Sequence, residues 1–228
     1  VNFCIVIPVY NSPYIKEVIE DVLSYGYKVI VVDDGSDKPV DAENLDIELV
    51  THPINMGKGE AILSGAKKAK ELGYDSFVSV DADKQHLSSQ IQKLTDAYED
   101  ETIVIGNRNF EQENIPNSSK FGRKFSNFWI MLETLKSLSD TQSGFRMYPV
   151  SILELPLTNR RFDFEVEILV HHSYRGGKIK DVEVECYYPP HGERVSHFDK
   201  LWDNVHITLL HIKLLMQRYL LLRGWLWK

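Results

Sequence analysis

Along the first half of the chain, short continuous apolar runs alternate with longer stretches whose apolar residues recur every three or four positions. The runs "FCIVIPVY" (3–10), "YKVIVVDDGS" (27–36), "DIELVTHP" (46–53), "DSFVSVDAD" (75–83) and "TIVIGNR" (102–108) are brief and rich in β-branched residues, and they lack polar alternation. That is the pattern of strands covered on both faces. Residues 13–25 place Ile15, Val18, Ile19, Val22 and Leu23 on one helical face, and Pro13 suits a first turn. Residues 55–73 read as a glycine-rich turn and a helix closed by Gly73, and residues 88–99 as another helix. Alternation of this kind predicts an α/β fold: an open, mostly parallel, twisted sheet flanked by helices.

The second half is patterned differently. A polar stretch (109–120) precedes a helix with Phe, Trp and Leu (121–138), then a polar loop "DTQSGFRMYP" (140–149). Residues 162–177 predict a helix ended by Gly176 and Gly177. Residues 178–190 alternate charged and apolar positions, as a half-buried edge strand does. Residues 199–222 are helical. No repeat, low-complexity segment or clear linker interrupts the chain.

At 228 residues and 43% hydrophobic content the chain can bury a substantial core. A net charge of −7 argues against a nucleic-acid binder, which needs a basic face. Cys4 and Cys186 lie far apart in apolar runs and read as small buried hydrophobes. A reducing, cytoplasmic setting fits them. No signal peptide is visible, and no apolar run is long enough to span a bilayer.

Ligands of open α/β sheets bind beyond the carboxyl ends of the strands. That rule gathers "PVYN", "DDGS", "DADKQH" and "GNR" at one edge. Asp81 and Asp83 are one residue apart at a strand end. They suit either a turn, where Asp bonds nearby backbone N–H groups, or a hard divalent cation such as Mg²⁺ or Mn²⁺. Asp33 or Asp34 can accept hydrogen bonds from a ribose or a base, although no GxGxxG or Walker A loop is present. The glycines of "NMGKGEAILSG" suit close helix packing. Lys58 at that helix's start opposes the helix dipole and points to an anionic ligand.

In order and spacing, "IPVYN", "VVDDGS", "NMGKGEAILSG", "VDADKQH", "GNR" and "SGFR" resemble glycosyltransferase family 2, with the GT-A fold, over residues 3–148. The closer likeness is to the polyprenyl- and dolichyl-phosphate sugar transferases. The resemblance implies an inverting, metal-dependent transferase that moves a sugar from a nucleotide-diphosphate sugar to a lipid acceptor. Residues 1–110 would form the nucleotide-sugar half and 111–198 the acceptor half of one domain, with 199–228 as a tail. It implies a nucleotide cradle from Pro8, Tyr10 and Asn11, with Asp33 and Asp34 for base and ribose. Lys58, Asp81, Ala82, Arg108 and Arg194 are implied around the donor, and Asp83 and Gln85 as ligands of Mg²⁺ or Mn²⁺. Ser143 and Arg146 are implied against the acceptor phosphate, and Asp81, Asp83 and Arg146 as the catalytic set.

Two departures matter: Ser12 stands where an acid often follows "PTYN", and His197 stands where a Lys is expected. Asp140 is the only acid near the expected acceptor loop, and a lipid phosphate needs little help from a base. A hydroxyl acceptor is the alternative. A nucleotidyltransferase or a receiver-type signalling domain fits the motifs less well. From Asn204 onward Lys213, Arg218, Arg223 and Lys228 occur without an acidic residue, among many leucines and before Trp225 and Trp227. Such a helix either lies in a membrane interface, which would give peripheral contact through residues 200–228 at the inner face of the membrane, or packs as a core or dimer helix.

Overall fold

A computed structural model describes residues 1–108, 117–161, 163–187 and 202–219, with backbone alone for 117–121, 202–207 and 218–219. Among the described residues seven strands form one sheet: β1 (Phe3–Val9), β2 (Val29–Asp33), β3 (Ile47–Thr51), β4 (Ser76–Ser79), β5 (Thr102–Arg108), β6 (Arg146–Pro149) and β7 (Lys178–Val184). Their order is β3-β2-β1-β4-β6-β5-β7. All run the same way except β6, which is antiparallel to both β4 and β5. Among the described residues six α-helices accompany them: α1 (Ile15–Ser24), α2 (Lys58–Glu71), α3 (Ile91–Ala97), α4 (Asn117–Thr134), α5 (Phe164–Tyr174) and α6 (Trp202–Tyr219).

The continuous apolar runs are explained by two separate cores. Cys4, Val6, Ile30, Val32, Phe77, Ile103, Ile105 and Tyr148 face one layer, with apolar residues of α2, α4, α5 and α6. Their neighbours Ile5, Ile7, Val29, Val31, Val78, Val104 and Met147 face the other, with α1 and α3. Strand side chains alternate in direction, so a sheet covered twice needs apolar residues at every position. Both cysteines are free and buried, as expected, and burial pushes each thiol up to about 12. Pro8 sits inside β1 without breaking the sheet. Val6 C=O accepts the Val80 N–H on the β4 side, and Pro8 faces the same side just past the last residue of β4. Its missing donor therefore leaves no ladder bond unmade.

Two expectations need correction. The stretch 140–149 is not all loop: its last four residues form β6, and each of them is buried. Polar composition hid this strand, because Arg146 lies wholly inside and Met147 and Tyr148 enter opposite cores. The first polar helix boundary also shifts, with α4 starting at Asn117 and ending at Thr134. From sequence the tail is open between a membrane-interface helix and a packing helix. Leu210 and Leu214 of α6 belong to the same core as α2 and α5, and His211 Nδ1 lies 2.9 Å from Glu133 Oε1 on α4. The His211 ring stacks on Trp129 at 5.4 Å. One face of α6 thus packs into the main core through these described side chains.

Helix α5 shows no amphipathic stripe because it has no dry-to-wet boundary over most of its length. Every residue from Phe164 to His172 is buried, including Glu165, Glu167, His171 and His172. Glu167 accepts the Thr158 and Asn159 N–H groups at 2.9 Å each and the Thr158 hydroxyl at 2.7 Å. Gly65 lets α2 approach β1 closely, since a Cβ there would lie 2.3 Å from Val6 Cγ1. If α6 is a core helix, Leu214→Ala should cost about 2–5 kcal/mol of stability, read by urea unfolding. A variant as stable as the parent would show that α6 packs only loosely.

Candidate active site

The carboxyl ends of β1, β2, β4 and β5 meet at one edge, as the sheet directions require. Because β6 runs the other way, its first residue and the loop before it reach that same edge. The N-termini of α2 and α5 arrive there too, which is how Lys58 and Glu165 enter the site.

Asp33 and Asp34 build loops. Asp33 accepts the Ser36 and Val40 N–H groups, both at 3.0 Å. Asp34 accepts the Met56 N–H at 2.9 Å and the Gly57 N–H at 2.8 Å, and His52 Nδ1 lies 2.7 Å away. Both carboxylates are buried. They were expected to meet ribose and base, whereas the structure gives their oxygens to backbone donors that shape the cradle. Asn11, at φ 51°, joins the first two loops. Its N–H donates to Ser36 Oγ at 2.9 Å, its amide donates to Asp37 at 3.0 Å, and its Oδ1 accepts the Asp37 N–H at 2.9 Å. Tyr10 precedes it, partly exposed. The Ser12 hydroxyl donates to the Ala82 carbonyl, so the serine that departs from the family pattern ties the first loop to the paired acids.

Lys58 stands at the centre. Its Nζ lies 2.8 Å from Asp81 Oδ1 and 2.7 Å from Glu165 Oε1. The anion facing this lysine is therefore the protein's own. Burial alone would raise the Asp81 carboxyl, but Lys58, with His86 and Arg108 nearby, outweighs it and holds Asp81 at about 2. Burial would lower the ammonium, and the two carboxylates instead raise it well above its ordinary value. The Asp81 N–H donates to His86 Nδ1 at 3.0 Å, and the His86 ring stacks on Phe145 at 4.8 Å. Burial keeps His86 below the usual histidine range.

Gly144 closes over this ion pair. A Cβ at that position would lie 2.5 Å from Lys58 Nζ and 2.7 Å from Asp81 Oδ2, so any larger residue would push the charged ends of this pair aside. Arg146 fixes the loop from beneath. Its Nε donates to the Ser143 carbonyl at 2.6 Å, Nη2 to the Thr141 carbonyl at 2.8 Å, and Nη1 to the Glu165 carbonyl at 2.9 Å. Arg146 and Ser143 are fully buried. Their expected contact with the acceptor gives way to a supporting role: the guanidinium is surrounded by carbonyls that need its donors. The Ser143 hydroxyl accepts the Phe145 N–H at 3.3 Å.

Arg108 grips Asp140 in bidentate fashion, Nε to Oδ2 at 2.6 Å and Nη2 to Oδ1 at 3.0 Å. Asp140 is wholly buried, which removes it as a proton acceptor for a substrate. Asp83 is half-buried, and its Oδ1 accepts the Gln85 N–H at 3.0 Å across a turn in which Lys84 takes φ 64°. Among the described residues no basic side chain forms an ion pair with Asp83, in contrast to Asp81. Nor, among them, do three or more His, Cys, Asp or Glu side chains cluster as a metal cage. One carboxylate and one amide oxygen at a cleft edge still suit a hard cation completed by substrate oxygens. Arg194 and His197 lie outside the described residues. Sequence reasoning missed Glu165, Gly144 and His86; an acid inside the apolar run "FDFEVEIL" was the available hint for the first, since a buried carboxylate needs a partner.

Two variants test this reading. In Asp81 the folded value (about 2) lies below the unfolded one (3.8). Its stabilising contribution is therefore complete above the unfolded value, and is lost as pH falls through the folded value. Lys58→Met should move acid unfolding to higher pH, because burial then raises Asp81 against only the weaker pull of His86 and Arg108; an unchanged acid limb would refute the pairing. Gly144→Ala should leave the fold intact and lower kcat/KM by about 10-fold or more through displacement of the ammonium. Full activity in that variant would remove Gly144 from the site.

Comparison with known proteins bears on the whole architecture. The sequence matches "Glycosyl transferase family 2" over residues 4–155. It is 29% identical over 213 residues to the UDP-N-acetylglucosamine–dolichyl-phosphate N-acetylglucosaminyltransferase of Methanococcus voltae, covering 81% of this chain and 85% of that protein. It is 26% identical over 170 residues to the undecaprenyl-phosphate mannosyltransferase of Micrococcus luteus, covering 68% and 70%. The fold superposes on glucosyl-3-phosphoglycerate synthase from Mycobacterium tuberculosis, solved with Mn²⁺, UDP and glucosyl-3-phosphoglycerate. The TM-score is 0.68 at 18% identity, over 95% of this chain and 79% of that one. With the GT-A sheet and the paired acids at its carboxyl edge, this protein belongs to glycosyltransferase family 2.

Proposed function

We propose that the protein transfers a sugar from a nucleotide-diphosphate sugar to a polyprenyl phosphate, with inversion at the anomeric carbon. The observation that carries the acceptor assignment is the fate of Asp140. The one acid of the acceptor loop is buried and held at both oxygens by Arg108. Asp81 and Glu165 are likewise committed to Lys58. A hydroxyl nucleophile needs a base placed within hydrogen-bond reach, while a phosphate arrives ionised. The relatives named above act on dolichyl and undecaprenyl phosphates, which agrees with this chemistry.

Asp83 and Gln85 are the residues that would hold the divalent cation. An all-oxygen set suits Mg²⁺ and Mn²⁺ alike. Such an ion neutralises charge that grows on the departing diphosphate. Asp81, fixed by Lys58, orients the sugar or its nucleotide without adding a second free charge beside Asp83. Asn11 and the backbone that Asp33 and Asp34 hold in place cradle the nucleotide, with Pro8 and Tyr10 leading into that loop. Arg108 steadies the acceptor side through its neighbours. Arg194 retains its family-based assignment to the donor. Ser143 and Arg146 position the loop that carries Gly144. Among the described residues no helix is long and apolar enough to cross a membrane. Peripheral attachment at the cytoplasmic face, with residues 200–228 contributing, suits an acceptor anchored in lipid.

Calorimetry with UDP, GDP and their sugars, with and without Mn²⁺, tests the donor side. Asp83→Asn should abolish most of the metal-dependent affinity, whereas Asp83→Asn with unchanged affinity would sink the metal assignment. The acceptor side is read by offering polyprenyl phosphate and the matching polyprenol. Transfer should require the phosphate, and equal transfer to the alcohol would favour the hydroxyl-acceptor reading.

A further inference from the structure

The turn that carries the paired acids holds a base of its own. Lys84 follows Asp83 directly, and adjacent Cα atoms lie about 3.8 Å apart, well within the reach of a lysine side chain. Among the described residues Asp83 nevertheless forms no ion pair. The Lys84 ammonium goes instead to Glu17 on α1, 67 residues earlier, and lies 5.6 Å from the centre of the Tyr14 ring. Lys84 also takes φ 64°, a left-handed backbone that is unfavourable for any residue with a Cβ.

Stability does not account for this arrangement. Both side chains of the pair are substantially exposed, Lys84 at 44% and Glu17 at 56%, and an exposed pair of two flexible side chains contributes little. Nor does the turn need the pair to keep its shape. On one side of Lys84 the Ser12 hydroxyl donates to the Ala82 carbonyl. On the other the Gln85 carbonyl accepts the Tyr187 N–H at 2.9 Å, and within the turn Asp83 Oδ1 accepts the Gln85 N–H at 3.0 Å. These bonds fix the segment from Ala82 to Gln85 without the Lys84 side chain. What Glu17 and Tyr14 determine is where one positive charge sits.

That position matters because an ammonium and a divalent cation compete for the same carboxylate oxygens. Asp81 shows the outcome when a lysine is admitted: Lys58 Nζ lies 2.8 Å from it, and the acid is neutralised. Asp83 is spared the same fate although its own neighbour is a lysine.

We propose that Glu17, helped by the Tyr14 ring, is a positioning residue for the metal site: it draws the Lys84 ammonium away from Asp83 and leaves that carboxylate open to a divalent cation. The inference rests on the assignment of Asp83 and Gln85 to the cation and deepens it. Glu17 acts only through Lys84.

The test compares Glu17→Gln, Lys84→Met and Glu17→Gln/Lys84→Met in the full chain. Mn²⁺ left free in solution is counted by electron paramagnetic resonance, with whichever of UDP and GDP the parent binds. Glu17→Gln releases the ammonium beside Asp83 and should weaken Mn²⁺ about threefold to fivefold, the range of an exposed ion pair that must break before the metal enters. Lys84→Met should bind Mn²⁺ as tightly as the parent or more so, and the double variant should recover what Glu17→Gln loses. A mere tether would give another pattern, with equal losses in both single variants and no recovery in the double one. That pattern, or parental affinity in Glu17→Gln, would overturn the inference. A crystal structure of metal-free Glu17→Gln gives a readout independent of the cation. Lys84 Nζ should lie within about 4 Å of an Asp83 oxygen, and an ammonium that stays away from Asp83 would equally overturn the inference. Asp83→Asn separates this inference from the metal reading. If it binds Mn²⁺ as the parent does, the metal assignment fails, while the place of Lys84 in Glu17→Gln still decides whether Glu17 keeps Asp83 unpaired.

Discussion

One ammonium group between two carboxylates organises the site. Lys58 opens α2, Asp81 ends the segment after β4, and Glu165 lies in the first turn of α5. Each of these elements has its own packing, and the charge cluster joins their ends at a common point. Removing Lys58 would leave two poorly solvated carboxylates without their cation, and breaking a buried pair in this way costs about 3–5 kcal/mol. The surrounding backbone respects the cluster. Gly144 gives it room, and Arg146 ties the Glu165 carbonyl to the loop that carries that glycine. The Arg160 carbonyl accepts the Gly59 N–H at 2.8 Å, which satisfies a donor at the start of α2 and anchors Lys58 from behind.

The consequence is a division of labour among acids. Asp33 and Asp34 hold loops, Asp81 and Glu165 share Lys58, and Asp140 holds Arg108. Asp83 is the acid of this group that forms no ion pair among the described residues. Two neighbouring carboxylates repel, and neutralising Asp81 with a lysine lowers that repulsion while Asp83 stays partly exposed.

A second buried pair serves the far side of the molecule. Glu133 and His211 join α4 to α6, and the Trp129 ring covers the imidazole. This contact turns what could have been a loose appendage into part of the wall that covers α5. It also leaves both helices with an outer face that the core does not need, and that face is where the exposed Phe, Leu and Met side chains collect.

The sheet, its parallel sense and the edge at which chemistry gathers were legible from periodicity, because a strand buried on both faces must be apolar throughout. The paired acids and the glycines of α2 were legible as motifs for the same kind of reason: their backbone positions dictate the residue type. What each charged side chain touches was not legible. Lys58 reads as a cation awaiting a ligand until α5, more than a hundred residues later, brings Glu165 to it. Arg146 reads as a phosphate contact until β6 carries it inward among carbonyls. Strand β6 itself escaped notice because it follows a polar loop directly and begins with an arginine whose burial is satisfied by carbonyls. Helix α6 reads equally as membrane-bound or packed, since a stripe of leucines records only that something apolar lies against it. Pairwise partners at long separation are decided by tertiary packing, and in this protein those partners determine which acids are held in ion pairs.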